Sequence, residues 1–304
     1  MPLNPILHVL LPPTLIVLLT TLFLRLLHTL PSTNPLPPPP RSRTQPAHIL
    51  IVLGSGGHTA EMLSSLSNLN PAHYSHRTYV TSTNDDFSVL KAQEFEAGLP
   101  LRRQIVASGG YRKSDGAADQ HTTAKPFDKT SRGEGWSIHP VPRARHIHQP
   151  LLTTPLSSLR CLLSCLRLLL AHPVGYPDLI LTNGPATALI LILASVLIRF
   201  FSFLPLGFLR GVGVGVYGGR RSSYEGGKTG GSGGKGGYED RTGKWEGRRD
   251  GAMRVIYAES FARVRTPSLS CRIVVWAGLA HRVLVQWPEL EERGWGDYAG
   301  CLVR

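Results

Sequence analysis

The stretch Ile49-Leu50-Ile51-Val52-Leu53-Gly54-Ser55-Gly56-Gly57-His58-Thr59 decides the fold. Five branched apolar residues in a row fit a strand buried on both faces. Three glycines within four positions then turn the chain. His58 to Leu69 follows as a helix, with Met62, Leu63, Leu66 and Leu69 on one face. This is strand, glycine turn, helix: the first half of a βαβ unit. Such a turn exposes backbone N–H groups at a helix N-terminus, where partial positive charge favours phosphate or diphosphate. Glycine suits the turn because a Cβ would block close approach, and because it tolerates positive φ. The spacing is not the dinucleotide fingerprint, since the third glycine of G-x-G-x-x-G would fall on Thr59. Asp85 stands too far along to be the ribose acid. No Lys-Ser/Thr follows, so the turn is not a P-loop. On spacing alone, a phosphate site and a ligand-free tight turn are equally good readings.

The residues after this unit continue its alternation. Arg77 to Thr83 reads as a second strand, Asp85 to Glu96 as a helix with Phe87, Leu90 and Phe95 facing in, and Leu101 to Ala107 as a third strand. Thr154 to Leu170 is a strongly apolar helix. Asp178 to Thr182 is a short buried strand that runs into Asn183-Gly184-Pro185, at the end of a parallel strand that faces the ligand crevice. Ala186 to Phe208 is either a second membrane span or a crossover helix, and the sheet's need for a crossover favours the helix. Arg254 to Ala258 is a strand ending at Glu259-Ser260. A carboxylate there can hold a substrate hydroxyl, act as a base, or cap a helix. Ser268 to Ala277 reads as a helix, His281 to Gln286 as the final strand, and the remainder as a loop with an apolar tail. Alternating strands and helices argue for an α/β, Rossmann-like parallel sheet with flanking helices.

The flanks set the environment. Residues 1–30 are read as an N-terminal membrane anchor, with a cleaved signal peptide as the rival; no basic residue precedes the apolar run. Arg25, Arg41 and Arg43 follow the run and place the body in the cytosol. Residues 31–46 form a Pro-rich linker, and 47–304 the α/β domain with flexible insertions at about 111–138 and 211–251. The second insertion holds 16 of the 32 glycines and cannot build a core. The net charge of the 304 residues is +13. With no zinc-finger spacing and no RNA-binding aromatic signature, that charge points to membrane and phosphate rather than nucleic acid. Arg143 and Arg145 either meet such an anion or belong to a solvated basic loop. Cys161, Cys165, Cys271 and Cys301 have no metal-binding spacing and read as free thiols. No carboxylate-rich metal motif is evident, and metal dependence stays open.

Five stretches in order carry a resemblance. They are Gly54-Ser55-Gly56-Gly57-His58-Thr59-Ala60-Glu61-Met62, Pro142-Arg143-Ala144-Arg145, Thr182-Asn183-Gly184-Pro185, Tyr257-Ala258-Glu259-Ser260-Phe261-Ala262-Arg263-Val264, and Val285-Gln286-Trp287-Pro288. With the N-terminal apolar segment, this ordered set resembles the Alg14 family. That resemblance implies the acceptor-binding half of a GT-B glycosyltransferase behind a transmembrane helix. It implies a membrane subunit, inactive alone, that recruits a soluble Alg13-like donor-binding partner. Together they would add the second GlcNAc from UDP-GlcNAc to GlcNAc-diphosphate-dolichol. UDP-GlcNAc is then a co-substrate held mainly by the partner, and no cofactor is expected in this chain. The implied location is the endoplasmic reticulum membrane and the contiguous nuclear envelope. The chain would be single-pass with its body on the cytosolic face, in reach of other early dolichol-pathway transferases. The alternative is a non-catalytic recruitment scaffold. By position, His58 and Glu259 are the catalytic candidates, and Gly54, Ser55, Gly56, Gly57 and Thr59 the diphosphate site. Arg143, Arg145, Asn183, Gly184, Pro185, Ser260 and Arg263 complete the cleft, and Tyr298, Leu302 and Val303 the partner-binding tail. The insertions, and Ala186 after Asn-Gly-Pro, look foreign to the family pattern.

Overall fold

The computed structural model describes residues 5–32, 47–71, 73–107, 135–145, 149–150, 152–172, 175–184, 186–201 and 253–301. Its elements in chain order are α1 (Pro5–Thr29), β1 (His48–Val52), α2 (Gly57–Ser65), β2 (His76–Ser82), α3 (Asp86–Ala107) and β3 (Trp136–Val141). They continue with α4 (Thr154–Ala171), β4 (Leu179–Asn183), α5 (Ala186–Phe200), β5 (Arg254–Ala258), α6 (Leu269–Trp276), β6 (Arg282–Val285), α7 (Pro288–Glu292) and β7 (Asp297–Tyr298).

The strands form one parallel sheet in the order β3-β2-β1-β4-β5-β6-β7. The order reverses between β1 and β4. In such sheets the crevice outside the strand ends at the reversal is where ligands bind. β1 pairs with β2 from His48↔His76 and with β4 from Ile49↔Leu179, so it is central and all five of its residues are buried. Its side chains alternate between two cores. Ile49 and Ile51 pack with Met62, Leu63, Leu66, Phe95 and Leu99 of α2 and α3. Leu50 and Val52 pack with Cys161, Cys165 and Leu169 of α4 and with Leu191, Ile192 and Val196 of α5. The buried Arg77 guanidinium binds Glu96 through both carboxylate oxygens, at 2.7 and 2.8 Å, and so ties α3 to β2.

Four expectations change. Leu101 to Ala107 is not a strand but the last turns of α3. A short apolar run fits either period, and the place beside β2 is taken by Trp136–Val141, in register from Arg77↔Trp136 to Ser82↔Val141. Residues 135–138, read as insertion, therefore belong to the described turn and strand, while 108–134 lie outside the described residues, as does the second insertion. Phe87 and Leu90 are about half exposed, because Ser88, Ala92, Phe95 and Leu99 form the inner face of α3. Ser88 is held inward by the glycine turn. Finally, His281–Gln286 does not end the sheet: α7 and the edge strand β7 follow it.

Four histidines gather towards the N-terminal ends of the strands, away from the crevice. His48 Nε2 lies 2.8 Å from Thr78 Oγ1, and Thr78 Oγ1 lies 3.0 Å from His172 Nε2. The His48 and His172 rings are 4.8 Å apart, His139 and His172 5.5 Å, and His48 and His76 6.4 Å. Burial, and then the neighbouring imidazoles, push His48 down to about 3 and His172 to about 2. These rings are neutral in the fold and must charge on unfolding. Their contribution is therefore present above the unfolded value near 6.5 and is lost as pH falls below it towards 3. Lowering the pH from 7.5 to 5 is expected to reduce the thermal midpoint of the solubilised protein by roughly 5 °C. His172→Gln should flatten that dependence, and an equally steep fall in the variant would contradict this account.

Candidate functional site

The glycine turn stands at the C-terminal end of β1. Gly56 takes φ +63°, the left-handed conformation that glycine tolerates, and forms the N-cap of α2. Thr59 N–H and Ala60 N–H donate to Gly56 O at 3.1 and 3.4 Å, while the amides at the very start of the helix have no intrahelical acceptor. Ser55, Gly56 and Gly57 are exposed. A Cβ added at Gly57 would meet no protein atom within 4 Å. The glycine therefore serves no internal contact, and the space before it is open to a ligand.

Thr59 does a different job from the one expected of it. It is fully buried, and its hydroxyl bonds Gly54 O and lies 2.6 Å from Ser88 Oγ. Ser88 Oγ in turn donates to Asp85 Oδ2 at 2.9 Å, and Ser88 N–H to Asp85 Oδ1 at 3.2 Å. This chain of polar contacts fixes the shape of the turn from behind. Gly54 is also buried and contributes its carbonyl to that chain.

The residue around which the crevice is organised is Glu61, which the residue-by-residue reading passed over. It is 8% exposed. Its carboxylate accepts from Phe261 N–H at 2.5 Å, Gln286 Nε2 at 2.5 Å and Ser260 Oγ at 3.1 Å. Burial would raise its pKa, but the nearby His58 ring, and hydrogen bonds from Asn183, Phe261 N–H and Gln286, outweigh that and bring it down to about 2. One ionised carboxylate on α2 thus joins the ends of β4, β5 and β6. Gln286 also donates to Glu259 O at 3.0 Å.

His58 and Glu61 share a helix face at i, i+3. His58 Nδ1 lies 3.6 Å from Glu61 Oε2, which leaves Nε2 as the nitrogen free to meet a ligand; the side chain is 35% exposed. The ring rests against Gly184, which takes φ +79°; a Cβ there would stand 2.9 Å from His58 Nδ1. Tyr257 OH donates to Gly184 O at 3.3 Å and holds the turn after β4. Asn183 is buried, and its Oδ1 has no hydrogen-bond partner within the protein.

Glu259, the other catalytic candidate, is fully buried. Its Oε1 accepts from Ser260 N–H at 2.8 Å, and its Oε2 from Ser268 N–H at 2.9 Å and Ser268 Oγ at 2.8 Å. Ser268 is the N-cap of α6, so this carboxylate anchors the β5–α6 loop and does not face the crevice. Ser260 enters the crevice through Glu61, whereas Arg263 is exposed on the same loop. Arg143 is half-buried and Arg145 exposed, on a segment whose Ala144 accepts from Ser157 and Ser158 of α4 at 2.8 and 3.1 Å. Ala144 N–H also reaches Thr187 in the first turn of α5, at 3.5 Å, which puts this segment at the rim of the crevice. Tyr298 is exposed on β7, with its N–H on Glu291 Oε1 at 3.0 Å. Pro185, Leu302 and Val303 lie outside the described residues. The signal for Glu61 was present in the His-x-x-Glu spacing at the first turn of α2.

The family model described as "Oligosaccharide biosynthesis protein Alg14 like" matches residues 49–302. A UDP-N-acetylglucosamine transferase subunit alg14 of Aspergillus fumigatus is 34% identical over 252 residues, covering 77% of this chain and 96% of the relative. The subunits of that name from Schizosaccharomyces pombe and Homo sapiens are 29% and 27% identical, covering 80% and 81% of this chain and 77% of each relative. Among solved structures, MurG of Acinetobacter baumannii is similar with a TM-score of 0.37 at 10% identity, over 80% of this chain and 42% of that one. The match over nearly all of the α/β domain shows that the chain belongs to the Alg14 family.

Proposed function

We propose that this chain is the membrane-anchored, acceptor-binding subunit of a two-chain UDP-GlcNAc-dependent transferase. The observation that carries the reading is the crevice itself: an open helix N-terminus beside an imidazole whose Nδ1 faces an ionised carboxylate, at the point where the strand order reverses. The helix start and Gly57 cradle the diphosphate of a lipid-linked GlcNAc acceptor. Arg143 at the rim adds positive charge. The acceptor sugar's hydroxyl oxygen attacks the anomeric carbon of UDP-GlcNAc, which a separate Alg13-like subunit holds. The bond to UDP breaks with its electron pair, and the hydroxyl proton passes to His58 Nε2. α1 anchors the chain in the endoplasmic reticulum membrane or the contiguous nuclear envelope, with the body in the cytosol beside other early dolichol-pathway transferases.

The test is transfer of labelled GlcNAc from UDP-GlcNAc to GlcNAc-diphosphate-dolichol by detergent-solubilised chain, with and without the donor-binding subunit. Transfer only with both supports the reading. Wild-type transfer by His58→Ala, together with Gly57→Val, would leave a recruitment scaffold instead. Removing Leu302 to Arg304 is expected to abolish co-purification with the donor subunit while leaving membrane attachment. Retention at wild-type affinity would move the interface to the crevice rim.

A further inference from the structure

α4 presents to solvent an apolar stripe that the fold does not use. Leu152 is 94% exposed, Leu156 57%, Leu159 51% and Leu163 46%. Leu156, Leu159 and Leu163, three and four apart, lie on one face of the helix, and Leu152 stands in the turn just ahead of it. Cys161, Cys165 and Leu169 on the opposite face are buried against α5 and the sheet. Thr154–Ala171 is long and apolar enough to cross a membrane by length and composition, yet one side of it is spent on the core. A helix with one side packed on the core cannot span a bilayer.

Charge decides what covers it. α4 contains no Asp or Glu, and its charged residues are Arg160 and Arg167, four positions after Leu156 and Leu163 and so beside the stripe. A leucine face edged by arginines and free of acids complements an anionic lipid surface. A second apolar element stands on the same side of the sheet. Towards its C-terminal end α1 meets the body, where Leu30 just after it joins the α4–α5 core and Arg25 donates to Arg199 O and Phe200 O at 3.2 and 3.3 Å. From Leu15 to Leu24 its large apolar side chains are exposed. Both elements pack on α5, so a bilayer that takes up α1 lies next to the α4 stripe.

We propose that α4 is an interfacial helix. Its leucine stripe lies at the headgroup–acyl boundary of the bilayer that holds α1, with Arg160 and Arg167 at the lipid phosphates. This rests on the acceptor-subunit reading only for its purpose. α4 starts beside the Ala144 segment at the crevice rim, so docking it opens the crevice at the depth where a lipid-linked diphosphate lies.

The test uses the full chain with Cys301→Ser, since Cys161, Cys165 and Cys271 are buried. Leu159→Cys or Leu163→Cys is labelled with an environment-sensitive fluorophore. Lys91→Cys on α3, across the sheet, is the control. The protein is reconstituted into phosphatidylcholine–phosphatidylinositol vesicles with or without acyl-chain nitroxide lipid. A label about 5–10 Å below the headgroups should shift to the blue and lose roughly half its emission to the nitroxide. The Lys91 control should do neither. Emission at 159 and 163 unchanged by vesicles would overturn the proposal. So would a blue shift without nitroxide quenching, which would mean a protein surface covers the stripe. With the donor-binding subunit and both substrates added, quenching without transfer would sink the acceptor-subunit reading and leave the interfacial helix; transfer without quenching would do the reverse.

Discussion

Replacing Glu61 by alanine is expected to reduce transfer by the assembled two-chain enzyme on the order of a hundredfold or more. No other carboxylate among the described residues holds the ends of three strands: Asn183 from β4, Ser260 and Phe261 after β5, and Gln286 after β6. Alanine leaves the Phe261 N–H and the Gln286 amide without their acceptor, at a cost of about 1–3 kcal/mol for each group left unpaired in the interior. It also removes the negative charge that His58 Nδ1 faces, and with it the preference for a proton on Nδ1 that leaves Nε2 free. Both stability and transfer should fall. Glu61→Gln keeps the volume but turns one acceptor oxygen into a donor facing donors, so it should recover little. Because the carboxylate is held near 2, its contribution is present above the unfolded value near 4.5 and is lost only as pH falls towards 2. The Glu61 effect should therefore be constant across neutral pH. Full transfer by Glu61→Ala with saturating donor subunit would remove the carboxylate from the account.

Gly184→Ala is expected to cost transfer roughly ten- to a hundredfold by a different route. The φ of +79° is a conformation that L side chains rarely adopt, worth about 1–2 kcal/mol of strain. The larger consequence is steric. The new Cβ would lie 2.9, 3.0 and 3.1 Å from Nδ1, Cγ and Cε1 of His58, so the imidazole must turn away from Glu61 and from the mouth of the crevice. If displacement of His58 is the cause, adding Gly184→Ala to His58→Ala should cost far less than it costs alone, since the two changes remove one interaction. Additive losses in this double-mutant cycle would place the harm in the β4 turn itself.

Most of the sheet can be read from short runs whose neighbours allow one period only. Ile49–Leu53 has no polar residue to break it, and Arg254–Ala258 is bounded on both sides, so each had one good reading. Leu101–Ala107 fits a strand or a helix end, and nothing local chooses; the choice was made by β3, which lies beyond a long stretch of sequence. The misplaced Phe87 and Leu90 have a similar cause. Their inward orientation is natural for a helix packed by hydrophobicity alone, but Ser88 is pulled inward by Thr59 and Gly54, a tertiary polar contact that no periodicity contains. The glycines and His58 were visible as candidates because turn chemistry is local. Glu61 was not, because its role depends on Ser260, Phe261 and Gln286, about two hundred residues away in the chain. Glu259 could be read from sequence as a crevice acid or as a cap for the complementary reason: a strand end shows where a residue lies, not which way its carboxylate turns.

The central claim is that the start of α2 holds the acceptor's diphosphate, and Gly57→Val tests it most directly. Gly57 needs no positive φ, and a Cβ there meets nothing of the protein within 4 Å. Valine at the first helical position should therefore leave the thermal midpoint and co-purification with the donor subunit unchanged. In the crevice, however, its methyl groups would occupy the space in front of the free amides, where the diphosphate must sit. The measurement is the rate of GlcNAc transfer against the concentration of lipid-linked acceptor, for wild type and Gly57→Val at equal amounts of assembled complex. The account predicts loss of transfer, or a rise in acceptor KM by at least roughly tenfold, in a protein of unaltered stability. Wild-type kcat and KM in the valine variant would contradict it.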